Sequence, residues 1–140
     1  MTPAGDHVGA MEHRAIFELV PEAASRARTV VNDELGRAVS ARVLEDATLL
    51  VSELVTNAVR HAPRAGIPEV ELRLELDPER IRVVVSDPGA GFVADPPRQP
   101  VATESSGWGL YLVDRIADRW GVISEDRSEV WFEIDRAAER

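Results

Sequence analysis

Two alternating apolar runs joined by a short turn constrain this chain most. Val70, Leu72, Leu74 and Leu76 share one side of an extended segment, Asp77-Pro78-Glu79-Arg80 turns the chain, and Ile81, Val83 and Val85 resume the pattern. Successive side chains of a strand point to opposite faces, so this period of two predicts a β-hairpin with one apolar face. Helical spacing precedes it. Pro21 suits the first turn of a helix running to about Ala38, with Ala24, Ala27, Val31, Leu35 and Ala38 as its buried stripe. A second helix is expected from about Ala41 to Ala62, stopped by Pro63 and Gly66, with Ala47, Leu50, Val51, Leu54, Val55 and Ala58 on one face. A strand over Ala15 to Val20, a helix from about Trp108 to Asp118, and strands near Trp120 to Ser124 and Val130 to Asp135 complete the pattern.

A chain of 140 residues is long enough for one core and short for two. Residues 1–13 read as a flexible leader and 14–136 as a single domain. From Pro88 to Ser106 periodicity is lost while Pro96, Pro97 and Pro100 accumulate. So long a loop inside a small domain usually has a function, and the segment 88–107 reads as a lid.

Composition excludes several classes. A net charge of −9 opposes nonspecific nucleic-acid binding, which rests on a positive surface. No apolar run is long enough for a membrane span, and residues 1–13 lack a signal-peptide core, so a cytoplasmic protein without membrane contact is expected. Absence of cysteine removes disulfides and thiolate chemistry, and His7, His13 and His61 lack metal-ligand spacing. All sixteen basic residues are arginine. Any nucleotide site in this chain would have to work without the lysine that a P-loop or a protein-kinase strand supplies.

Three segments carry chemistry: Glu53-Leu54-Val55-Thr56-Asn57-Ala58-Val59-Arg60-His61-Ala62, then Ser86-Asp87-Pro88-Gly89-Ala90-Gly91-Phe92, then Ser106-Gly107-Trp108-Gly109-Leu110. Glu53 and Asn57, four apart, stand together at the border of the apolar face of the second helix and suit a pocket wall. Glu53 also fits a solvent-facing row with Asp46 and Arg60. Alternation from Ile81 through Val85 puts Asp87 on the core side, where a carboxylate must accept hydrogen bonds, for which an adenine amino group would serve. A simple turn cap before Pro88-Gly89 is the other reading. Gly107 and Gly109 precede a helical run, where free N–H groups favour phosphate.

In order, these segments resemble the N, G1 and G2 boxes of the GHKL ATPase superfamily, and most of all its small bacterial anti-sigma-factor serine/threonine kinases. The likeness covers about residues 14–135, including Ala117-Asp118-Arg119-Trp120-Gly121-Val122 and Val130-Trp131-Phe132-Glu133. It implies an α+β, two-layer α/β sandwich of the Bergerat type, with helices on one face of a mixed, mostly antiparallel sheet. It further implies ATP or ADP with Mg²⁺ as cofactors, Asn57 as the Mg²⁺ ligand, Glu53 as general base and Asp87 as the adenine reader. Gly89 and Gly91 would shape the adenine-side turn, and Gly107, Gly109 and Leu110 the phosphate-side backbone. Partners implied are a sigma factor, an anti-anti-sigma antagonist protein and a second copy of the chain.

Two positions depart from the kinase pattern. The threonine that commonly precedes the last strand is matched by Glu129, with Ser128 before it, and Glu104-Ser105-Ser106 stands where an arginine commonly meets the terminal phosphate. Arg98 is a substitute at a different offset. Two functions follow from the resemblance: a kinase that sequesters a sigma factor and phosphorylates its antagonist, or a nucleotide-gated binding module that has lost transfer.

Overall fold

The alternating runs form strands β2 (Glu69–Leu76) and β3 (Arg80–Asp87), paired antiparallel with Leu72 opposite Val85 and Leu74 opposite Val83. Asp77 fixes the turn between them, its Oδ1 accepting from the backbone N–H groups of Glu79 at 2.7 Å and Arg80 at 2.9 Å. A computed structural model of the chain describes residues 11–60, 68–87, 108–124 and 128–136. Its other elements are β1 (Met11–Glu18), α1 (Ala23–Leu35), α2 (Ala41–Arg60), α3 (Trp108–Ile116), β4 (Arg119–Ser124) and β5 (Ser128–Asp135).

The five strands lie in the order β1-β2-β3-β5-β4, and every described pairing is antiparallel. The expectation of a mixed sheet is corrected to this extent. The segment containing α3 joins β3 to β4, which run in the same direction, but β5 is inserted between them and pairs antiparallel with both. Val70, Leu72, Leu74, Ile81, Val83, Val85, Val130 and Phe132 turn one sheet face inward. Against it pack Ala23, Ala27, Val31 and Leu35 of α1, Val43, Ala47, Leu50, Val51, Leu54, Val55 and Ala58 of α2, and Val113 of α3. This is the expected α+β two-layer sandwich.

Element ends differ from the sequence reading in ways the contacts explain. The strand β1 begins at Met11, three residues inside the expected leader, because its polar His13 turns toward α1 and meets Glu34 at 3.6 Å. The buried stripe of α1 starts at Ala23 rather than Ala24, and the helix stops at Leu35, before Ala38. Ser40 caps α2, its Oγ accepting from the N–H of Val43 at 3.2 Å. Arg136 joins the end remote from Asp87, donating to the carbonyls of Asp77 at 2.9 Å and Ala38 at 2.6 Å.

The outer sheet face is a charged ladder. Arg82 donates to Glu133 at 3.1 Å, Arg119 donates to Glu133 at 2.6 Å and also pairs with Asp135, and Arg14 pairs with Glu71. Burial alone pushes the Glu133 carboxyl up, but its bonds from Arg119 and Arg82 hold it below the ordinary value; the Arg119 bond does the same for Asp135. Within the ladder Trp131 lies across Gly121, with the Arg82 guanidinium 4.4 Å from its ring centre. A Cβ at position 121 would stand 2.6 Å from Trp131 Nε1, so glycine is what lets the indole lie flat there.

Candidate functional site

The apolar face of α2 orients everything else on that helix. With Leu50, Leu54 and Ala58 buried toward the sheet, Glu53 and Asn57 fall together at its half-buried border, as their spacing predicts. Neither side chain has a hydrogen-bond or ion-pair partner among the described residues. Among the described residues no ion pair joins Glu53 to Asp46 or Arg60. The Asp46 carboxyl is instead pushed up by burial, opposed by Arg42 and helped by Glu45. Among the described residues, a half-buried carboxylate and amide on one helix edge thus have no fold partner.

The start of α3 meets that edge. Gly109, the second residue of the helix, lies so close to α2 that a Cβ there would stand 2.5 Å from Asn57 Nδ2 and 3.6 Å from Leu54 Cδ2. Helix–helix packing therefore brings together one residue from the first sequence segment and one from the third. The Asn57 amide turns its nitrogen toward Gly109. The first turn of α3, whose N–H groups lack intrahelical acceptors, opens beside it. Leu110 packs partly against the core and anchors that turn.

The second segment ends at a buried polar cluster. Asp87 closes β3 with 4% of its surface exposed, on the same face as Val83 and Val85, as alternation requires. Its cross-strand partner is Ser128, 2% exposed, and its neighbour Ser86 is 3% exposed. Those three are the buried polar residues among the described ones, and all stand at one end of the two central strands. This corrects the match of Glu129 to the threonine position. Glu129 pairs with Ser86 on the other face, so the hydroxyl beside Asp87 is that of Ser128. Sequence spacing missed it by one residue, although the alternation of Ser128, Val130, Phe132 and Ile134 was a signal that would have found it.

Gly89, Gly91 and Gly107, the lid 88–107 with Arg98, and Glu104-Ser105-Ser106 lie outside the described residues. Among the described residues no group of three or more His, Cys, Asp or Glu side chains has the geometry to hold a metal, so a metal here would rest on few protein donors. The residues fit Mg²⁺ in that sense: this hard cation takes an isolated amide oxygen and keeps phosphate oxygens and water for the rest, and the Asn57 oxygen is uncommitted. None of the described helices is long and apolar enough to cross a membrane.

The chain is similar to known proteins. Residues 17–134 match the family described as the histidine kinase-like ATPase domain. The chain is 31% identical over 94 residues to the serine-protein kinase RsbW of Staphylococcus epidermidis, and 29% identical over 94 residues to that of Staphylococcus aureus. Each alignment covers 59% of this chain and 59% of the relative. Among solved structures it is similar to the RsbU and RsbW domains of Rv1364c from Mycobacterium tuberculosis, with a TM-score of 0.68 at 16% identity over 89% of this chain and 32% of that one. It is also similar to the histidine kinase domain of the Erythrobacter litoralis blue-light activated kinase EL346, with a TM-score of 0.59 at 24% identity over 83% of this chain and 60% of that one. These two likenesses concern the fold. The match along residues 17–134, on a fold that gathers Asn57 and Gly109 and buries Asp87, makes this chain a member of the histidine kinase-like ATPase domain family.

Proposed function

We propose that the chain is a Mg²⁺-ATP-dependent serine/threonine kinase that regulates a sigma factor in the cytoplasm, sequestering it and phosphorylating the small antagonist that releases it. The observation that carries this reading is the pair Glu53 and Asn57, uncommitted on one edge of α2 with Gly109 packed against the amide. Relatives named serine-protein kinases support the reaction class.

Asp87 accepts a hydrogen bond from the adenine amino group, and Ser128 stands across from it as a second polar group for the same ring. The N–H groups at the start of α3 hold phosphate oxygens, with Gly109 leaving room for Asn57 alongside. Asn57 supplies the amide oxygen that holds Mg²⁺. When bound, the metal neutralises charge on the phosphate oxygens and aligns them. Glu53 takes the proton of the antagonist's seryl or threonyl hydroxyl as that oxygen bonds to the γ-phosphorus and the bond to ADP breaks. Leu54, fully buried between them, fixes the turn of helix that sets Glu53 and Asn57 side by side.

A nucleotide-gated binding module without transfer is the second reading, favoured by Glu104-Ser105-Ser106 in place of an arginine. Labelled ATP, the purified chain and its co-encoded small partner distinguish the two. Label moving to a serine or threonine of the partner supports the kinase. Nucleotide-dependent partner binding without label transfer supports the module.

A further inference from the structure

The helix layer carries a groove away from the nucleotide site. Arg28 Nη1 of α1 donates to Ser52 Oγ of α2 at 2.8 Å, and a Cβ on Gly36 would stand 4.0 Å from Leu44 Cδ2. Those contacts make the two helices antiparallel and set Asn32 opposite Thr48 midway between them. No bond joins the middle, where the Thr48 hydroxyl is buried without a hydrogen-bond partner. A cavity of about 340 Å³ opens there, lined also by Leu44, Glu45 and Leu49. Leu49 is 40% exposed, one of three large apolar residues so exposed among those described.

The groove has opposite charges at its two ends. Arg28 keeps guanidinium N–H groups to spare beyond its bond to Ser52, and Glu45 has no hydrogen-bond or ion-pair partner among the described residues. Ser52 and Glu45 are seven residues apart on α2, so the ends are two helical turns, about 10 Å, apart, with Leu49 between. We infer that this groove receives one amphipathic helix of another protein. It would carry an acidic residue against Arg28, an apolar residue three or four positions on against Leu49, and a basic residue seven positions on against Glu45. Helices pack along the groove between two others by ridges into grooves, and a helix repeats its face at this spacing. An extended segment covers about 10 Å in three residues, which turns its first and last side chains to opposite faces. A nucleic acid would set phosphate against Glu45. Acid before base in the chain also suits the dipole of the incoming helix.

Thr48 and Ser52 face α1, whereas Asn57 meets α3 on the other side of α2. Docking is therefore independent of nucleotide chemistry, and its failure and that of the kinase reading are separate results. Three helix-stabilised synthetic peptides test it, each with leucine at the third and fourth positions after the first charge, and with Glu/Lys, Glu/Glu or Lys/Lys at the two charged positions. Amide chemical shifts of the labelled chain report binding. The wild type should bind the Glu/Lys peptide roughly 10-fold more tightly than either other, with shifts centred on Arg28, Asn32, Thr48 and Leu49. Arg28→Glu should come to prefer the Lys/Lys peptide and Glu45→Arg the Glu/Glu peptide. Leu49→Asn should weaken all three by about 10-fold. These three positions are exposed, and unchanged shifts away from the groove show each variant folded. Shifts outside the groove, equal affinity for the three peptides, or variants that keep the wild-type order overturn the proposal. Groove shifts that grow with the chain's own concentration, without peptide, also overturn it, since the occupant would then be a second copy.

Discussion

Gly109 of α3 lies against the side-chain amide of Asn57 on α2, so closely that any Cβ there would stand 2.5 Å from Nδ2. Two glycine-flanked and amide-bearing motifs more than fifty residues apart thereby become one corner of a site. The contact decides what a methyl group would do. Nδ2 is the free end of a side chain and can be displaced without disturbing the core, whereas an amide placed to hold Mg²⁺, as proposed, would be moved from that position.

Gly109→Ala is therefore expected to separate stability from binding. Alanine is about 1 kcal/mol better than glycine within a helix, so the thermal midpoint should hold or rise slightly. Affinity for Mg²⁺-ATP should fall by about 10- to 100-fold, the loss of one well-placed charged contact. Melting curves and calorimetry on the same samples check both halves. Unchanged affinity would detach Asn57 from the metal.

The buried pair at the other end of the site predicts base selectivity. Adenine presents an amino group where guanine presents an oxygen, so the wild type should prefer ATP to GTP. Asp87→Asn should weaken ATP by about 10-fold or more, the usual scale for a hydrogen bond to a charged acceptor. Ser128→Ala should weaken it less, and Glu129→Ala should leave it unchanged, because Glu129 stands on the opposite face. Competition calorimetry with both nucleotides tests the series.

How much of this was legible beforehand follows from which contacts are local. Glu53 and Asn57 were readable as neighbours because helix geometry fixes residues four apart, and Asp87 was readable as inward because strand alternation does. Alternation within β5 marks Ser128 as inward, but its place opposite Asp87 depends on the register of β5 against β3, which the sequence does not show. The beginning of β1 was hidden for a related reason. His13 looks too polar for an inward position until Glu34 of α1 is placed beside it. The fold came through because its two helices and hairpin have strong periods, while the Arg119, Glu133 and Asp135 ladder rests wholly on cross-strand pairing.

That ladder predicts a pH effect. Glu133 and Asp135 are held below their ordinary values of 4.5 and 3.8 in the folded chain, so their contribution is fully present above those values and is lost as pH falls through the lowered ones. Urea midpoints should decline on acidification below about pH 4.5. Arg119→Met should lower the midpoint at neutral pH and flatten its acid dependence. A parallel decline in wild type and variant would deny the ladder this role.

Gly121→Ala tests the packing of the outer face apart from the site. Its Cβ would meet the rigid indole of Trp131 at 2.6 to 3.0 Å, and Arg82 covers the ring, so the clash is not relieved cheaply. Overpacking of this kind costs about 1–3 kcal/mol. Denaturant unfolding should show that loss, with affinity for nucleotide retained in the folded fraction.

The central claim is that Glu53 serves the transfer step and Asn57 the binding step, though one helix edge carries both. The direct measurement is the single-turnover rate of phosphate transfer from saturating Mg²⁺-ATP to the antagonist, for wild type and Glu53→Ala, alongside nucleotide affinity for each. Loss of a general base lowers rate by about 10² to 10⁴, so Glu53→Ala should transfer that much more slowly at unchanged affinity and still capture the sigma factor. A variant that transfers at the wild-type rate, or a wild type that binds nucleotide and partner yet never transfers phosphate, would contradict the account.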